Sequence, residues 1–297
     1  SRPQWTVVGI KFNAIARQEI YIMIKDIVVN LGLGANDPAG DYAVSIGEAF
    51  GAHVLGVAVS YEPVIPGTVM GGIPPEIIES QRAESNKKAR AAIERFEQAA
   101  QRAGISMETR TISASISGAA DQIGRIGRRF DLIVVGQPGR KDSLPDEVID
   151  EGVLFESGRP VIFVPFIQKG GMKLDRIMVC WDGSRAATRA IADAIPLLKK
   201  AKQVEIVIIS DKPNKKDEVP GADLGQHLAR HGLKVDVKRI TSPDIDVPST
   251  ILSYAADSSA DMIVMGGYGH SRLREFVLGG ATRGLLESMT VPVLMSH

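Results

Sequence analysis

The chain carries one ordered set of short segments twice. Lys25-Asp-Ile-Val-Val-Asn30 is echoed by Asp175-Arg-Ile-Met-Val-Cys180, with Ile27 answering Ile177 and Val29 answering Val179 at an offset of 150. Phe130-Asp-Leu-Ile-Val-Val-Gly136-Gln-Pro-Gly139 is echoed by Ala260-Asp-Met-Ile-Val-Met-Gly266-Gly-Tyr-Gly269 at an offset of 130. Arg159-Pro-Val-Ile-Phe-Val164 is echoed by Val291-Pro-Val-Leu-Met295 at 132. Three blocks in the same order define a duplicated unit, so both halves must reach the same fold. The drop in offset removes about 20 residues from the second copy, and the helices locate the loss. Copy one has a long polar-periodic stretch from Pro75 to Ala103, ended by Gly104, where copy two has only Gly221 to Arg230, ended near Gly232.

Within each copy, short β-branched runs alternate with helical segments. In copy two the runs are Arg176–Cys180, Val204–Ser210, Leu233–Thr241, Met262–Gly266 and Pro292–Met295, with helices around Ala186–Lys199 and Val247–Ala256. Near-continuous apolar strands separated by helices predict a parallel sheet covered on both faces. The expected fold class is therefore α/β, with two tandem Rossmann-like domains over 23–168 and 173–297. Each is a five-stranded, mostly parallel sheet with helices on both faces, and Gln168-Lys-Gly-Gly-Met172 is the linker. In such sheets ligands sit beyond the carboxyl ends of the strands, where the winding reverses.

Composition narrows the function. The 297 residues include 35 Lys+Arg and 35 Asp+Glu, a balance that argues against a nucleic-acid or membrane-surface binder. A single cysteine, Cys180, leaves no intrachain disulfide and no Cys-based metal centre, which fits a cytoplasmic protein. No segment approaches the ~20 apolar residues of a membrane helix. Residues 1–22 lack the pattern of a secretory signal, and Met23 runs straight into a strand. Residues 1–22 thus read as an added or extension segment ahead of Met23, the alternative being an N-terminal strand or arm packed on the domain.

The segment richest in chemistry is Met265-Gly-Gly-Tyr-Gly-His270-Ser-Arg-Leu-Arg-Glu275-Phe-Val-Leu-Gly-Gly280-Ala-Thr-Arg-Gly. It leaves a strand, turns through glycines and enters a helix near Gly279 to Thr282. Glycines let backbone amides approach a ligand, and a helix N-terminus offers free N–H groups and partial positive charge to phosphate. The spacing Gly266-x2-Gly269-x9-Gly279 resembles the ATP-binding signature of the universal stress protein (UspA) family, G-x2-G-x9-G followed by Ser or Thr. The first strand running into Asp182-Gly-Ser and the last strand entered through Val291-Pro-Val resemble that family too, and copy one resembles a diverged member.

The resemblance implies a tandem universal stress protein that binds ATP, alone or with Mg2+. Asp182 would meet the adenosine part, Ile209 would flank the base through its backbone, and Met265 and Gly266 would line the nucleoside side. Gly269, Gly279, Gly280, Ala281 and Thr282 would cradle the phosphates, and His270, with Arg272 or Arg274, could touch them. The family's Ser or Thr is Gly280 here, which removes one hydroxyl contact of about 0.5–1.5 kcal/mol. The resemblance further implies an intrachain pseudo-dimer formed through the last strands, compatible with a homodimer of chains, and a nucleotide-dependent surface read by a protein partner whose identity the residues do not carry. Pro160–Pro165 and Pro292–Met295 are short apolar edges that pairing would cover.

Copy one keeps Gly136-Gln-Pro-Gly139, but Ile149 stands where the third glycine should be. Asp142, Asp146, Glu147, Asp150 and Glu151 crowd the same segment, and the equivalent of Asp182 is Gly32. Clustered carboxylates repel phosphate, so nucleotide is expected in copy two only, and the carboxylates are read as a solvated helix face. Charge agrees: residues 23–168 carry 14 basic and 19 acidic side chains, residues 169–297 carry 18 and 15.

Other signals read as structural. Gly32-Leu-Gly34-Ala-Asn-Asp37 half-matches a dinucleotide fingerprint but reads as a strand-to-helix turn. His227 and His231 stand four apart without the Glu of a zinc-protease helix and read as a solvent-facing pair. Cys180 reads as an inert core thiol. No P-loop or nucleophile elbow is present, so the chain is not expected to be an enzyme. Two rivals remain: a slow ATP hydrolase or phosphotransferase in the same pocket, and a nucleotide-independent interaction protein.

Overall fold

The computed structural model describes residues 23–62, 74–138, 144–210, 221–241, 246–267 and 280–297. The first half alternates β1 (Asp26–Asn30), α1 (Pro38–Phe50), β2 (His53–Tyr61), α2 (Pro75–Ala103), β3 (Met107–Ala114), α3 (Ile116–Gly127), β4 (Leu132–Gly136), α4 (Leu144–Ser157) and β5 (Val161–Val164). The second repeats the series as β6 (Arg176–Cys180), α5 (Arg185–Lys200), β7 (Gln203–Ser210), α6 (Ala222–Arg230), β8 (Val235–Thr241), α7 (Val247–Asp257), β9 (Met262–Gly266), α8 (Gly280–Ser288) and β10 (Val293–Ser296). The α/β class and the repeated element order agree with the sequence, as do α2 with its left-handed Gly104 stop at φ 66° and the start of α8.

The ten strands of the described residues form one sheet, in the order β3-β2-β1-β4-β5-β10-β9-β6-β7-β8. Every pairing is parallel except β5 with β10, where Val161, Ile162 and Phe163 face Met295, Leu294 and Val293. These strands are fully buried, as apolar runs free of charge must be. The edges fall instead on β3 and β8, which carry Glu108, Arg110, Asp236, Lys238 and Arg239 and so discourage further pairing.

Successive strand residues point to opposite faces, so the sheet separates two cores. Ile27, Val29, Ile177 and Val179 pack under α1, α2, α5 and α6. Val28 and Met178 pack under α3, α4, α7 and α8. Helix starts are set by side-chain caps: Asp37 accepts from Gly40 N at 3.0 Å, Ser115 from Gly118 N at 3.2 Å, Ser184 from Ala187 N at 3.1 Å and Asp246 from Ser249 N at 3.1 Å.

Two aspartates, at equivalent positions in the repeated block, do a job that the sequence reading missed. Asp131 Oδ2 accepts from the backbone N–H of Lys25 and Asp26 at 2.8 and 3.0 Å. Asp261 Oδ2 accepts from Asp175 and Arg176 at 2.8 and 2.9 Å. Each carboxylate pins the start of its half's first strand against the start of its fourth. The recurrence of Asp at the same offset as its flanking strand was the available signal.

Candidate functional site

Strand order reverses between β1 and β4 and again between β6 and β9, so each half has a crevice at the carboxyl end of its sheet. In the second half, β6 leads into Trp181, Asp182, Gly183 and Ser184. Ser184 caps α5 with its hydroxyl, while its own N–H donates to Asp182 Oδ1 at 2.9 Å. Asp182 is exposed, so the turn orients a solvated carboxylate just beyond the strand. Ile209 is the penultimate residue of β7 and half-buried, and Met265 and Gly266 close β9.

Gly266 lies against the start of α5: a Cβ added there would come within 2.7 Å of the Ala186 carbonyl carbon and 2.9 Å of its Cβ. Only glycine lets the helix come this close, a packing demand separate from any ligand. Gly280, Ala281 and Thr282 form the first turn of α8, with Thr282 buried. Because α8 runs back between two parallel strands, its start, with N–H groups lacking intrahelical acceptors, stands at the carboxyl end of β9. Gly269, His270, Gly279, Arg272 and Arg274 lie outside the described residues.

Cys180, the last residue of β6, packs against the second core. Burial, with a smaller push from the Asp182 carboxylate, raises its thiol to about 12, far from the reactive thiolate.

The crevice of the first half is shaped differently. Its strand-to-helix loop runs Leu31–Asp37, three residues longer than Trp181–Ser184; it is the turn expected there, and Asp37 ends it by capping α1. The detour has a result that strand alignment hides. A Cβ on Gly32, the counterpart of Asp182, would sit 3.2 Å from Asp37 Oδ1, so a carboxyl group returns to the place where the alignment finds none. Burial pushes the Asp37 carboxyl up to about 6, against the opposing pull of the Gly40 and Gly32 N–H groups and the Arg95 guanidinium.

A cleft of about 830 Å³ opens here, lined by Asn30, Asp37, Tyr61, Glu84, Gly136 and Gln137 among others. Among the described residues the Asn30 Oδ1 is buried without a partner. Among the described residues a Cβ at Gly136 would meet nothing within 4 Å, so the strand end that is sealed in the second half stands open in the first. The helix that follows also differs: α4 has 14 residues to the 9 of α8, and its first two turns carry Asp146, Glu147, Asp150 and Glu151. Asp142 lies outside the described residues.

His227 and His231 are both exposed, their rings edge to face at 4.8 Å. Among the described residues no three His, Cys, Asp or Glu side chains are grouped to hold a metal, and no helix is long and apolar enough to cross a membrane.

Residues 173–297 match the model of the universal stress protein family. This half is a universal stress protein domain. A universal stress protein of Synechocystis sp. is 23% identical over 224 residues, 73% of this chain and 75% of its own. The fold likeness reaches across both halves. The crystal structure of a universal stress protein from Archaeoglobus fulgidus covers 92% of this chain and 96% of its own with a TM-score of 0.68 at 20% identity. A protein of unknown function from Pseudomonas aeruginosa covers 91% and 92% with a TM-score of 0.57 at 15% identity. The same α/β fold, repeated in tandem, thus spans nearly the whole chain.

Proposed function

We propose that the second domain binds ATP and that the protein is a nucleotide-dependent stress-response or signalling protein. One observation supports this above the others. The solvated Asp182, the end of β7 at Ile209, the end of β9 at Met265 and the start of α8 belong to elements meeting at the β6/β9 switch point. An exposed carboxylate suits ribose hydroxyls, and a helix start suits phosphate. The residues therefore fit a nucleotide, whose triphosphate would lie over Gly280, Ala281 and Thr282 at the start of α8.

The first domain does not fit it. Acidic residues occupy the start of α4, and Gln137 follows Gly136 with its side chain buried. One nucleotide per chain is the expected stoichiometry, and the readout is binding, with the liganded surface presented to a partner.

Thermal-shift titration with ATP, ADP and AMP tests the reading. A ligand at a hundredfold excess over Kd stabilises by about 2.7 kcal/mol. A shift that Asp182→Ala abolishes supports it. No shift, or one indifferent to that substitution, rejects it, and turnover lost with the same substitution would replace it with the hydrolase reading.

A further inference from the structure

Gln137 belongs to the first half but bonds to the second. Its Nε2 donates to the carbonyls of Leu286 and Glu287 at 2.8 and 3.0 Å, and its Oε1 accepts from Phe166 N at 3.0 Å. The residue is 6% exposed, and both of its amide hydrogens and its oxygen are used. The last four carbonyls of a helix have no intrahelical donor. Those of Leu286 and Glu287 are two of the four on α8, so a side chain from across the domain junction caps the helix whose other end is the candidate phosphate cradle.

We infer that Gln137 is a positioning residue for the phosphate-binding helix of the other domain. The inference rests on the nucleotide reading above. At nine residues α8 is too short to hold itself together in isolation, so its anchors set where its first turn stands. At about 1.5 Å per residue, its two ends are only about 14 Å apart.

The arrangement runs in one direction. The counterpart of Gln137 is Gly267, which packs against Leu154 of α4 but has no side chain to cap it. The Glu156 carbonyl of α4 instead accepts from Arg128 Nε of its own half at 2.9 Å. Domain 1, without a phosphate cradle of its own, thus holds the cradle of domain 2, and it does so with a residue that also walls its own cleft.

Calorimetric titration of the full chain with ATP and with adenosine tests this, using Gln137→Met, which keeps the length but loses every bond, and Gln137→Glu. All are measured below their melting transitions. Gln137→Met is expected to weaken ATP about five- to tenfold, the equivalent of one hydrogen bond, and to leave adenosine unchanged. Gln137→Glu is expected to match it at pH 8, where a carboxylate faces two carbonyls, and to regain affinity relative to wild type toward pH 5 as the protonated acid becomes a donor. If Gln137→Met does not fold, the pH profile of Gln137→Glu decides. Equal loss of ATP and adenosine, loss of neither, or a flat profile overturns the positioning role while the nucleotide reading stands. Wild-type protein that binds no ATP overturns the reading and the inference together.

Discussion

Ile162 and Leu294 hold the same position in the two copies and are also each other's partner across the antiparallel junction. Val161 and Phe163 cross over to Met295 and Val293, so an approximate two-fold axis passes through the Ile162–Leu294 pair. Both side chains are fully buried, on a face shared with α1 and α5. Arg189 adds a polar tie from α5, donating to the Gly158 carbonyl of the other half at 3.1 Å.

Truncating the pair should loosen the joint more than either change alone implies. Ile162→Ala and Leu294→Ala are each expected to cost about 2–4 kcal/mol in urea denaturation. The double variant should depart from additivity by about 0.5 kcal/mol or more, because both changes enlarge one cavity. Additive losses would show that the pair does not act as a unit.

Gly266 and Gly136 end equivalent strands, yet the same substitution should separate them. Gly266→Ala drives a methyl into the backbone of α5 and is expected to cost about 1–3 kcal/mol. Gly136→Ala places it in open cleft and should change stability by less than about 0.5 kcal/mol. Equal effects in chemical denaturation would contradict the packing described at β9.

Much of this architecture was legible because strand and helix patterns are local. The repeat offsets matched the strands residue for residue, and Gly104 and the start of α8 fell where expected. What escaped was carried by side chains that reach far along the chain or by a loop of unequal length. Asp131 bonds to residues about a hundred positions away, and Gln137 to one 149 away. The segment Gly32–Asp37 was visible as a strand-to-helix turn, but the Asp37 cap and its return beside Gly32 depend on three extra loop residues for which no periodicity accounts. At the candidate site, Asp182, Ile209 and Met265 lie at adjoining strand ends, and the glycines between 268 and 279 lie outside the described residues.

Asp37 should give the protein a pH-dependent stability of unusual sign. Its folded value of about 6 lies above the ordinary 3.8, so the folded state binds the proton more tightly. The stabilisation is full below about pH 4 and is lost as pH rises through 6. Asp37→Asn keeps a good helix cap without the charge. It should match wild type near pH 4 and exceed it by on the order of 1–2 kcal/mol at pH 7. A variant less stable than wild type at pH 7 would refute the burial argument.

The strand-pinning aspartates should behave alike despite belonging to different halves. Asp131→Ala and Asp261→Ala each remove two hydrogen bonds to backbone donors that water can reach, and are expected to cost about 1–2 kcal/mol in denaturant. Hydrogen exchange should report the loss first at Lys25 and Asp26 in one variant and at Asp175 and Arg176 in the other. Protection unchanged at those amides would mean that the carboxylates are not their acceptors in solution.

The pairing of β5 with β10 has one further result, which concerns dilution. Two separate copies meeting through these four-residue strands would part as their concentration fell. Joined by the short stretch between Val164 and Arg176, they meet at an effective concentration set by the chain itself, on the order of millimolar for a short tether. The capping of α8 by Gln137 is therefore equally complete whether the cell holds many molecules of this protein or few.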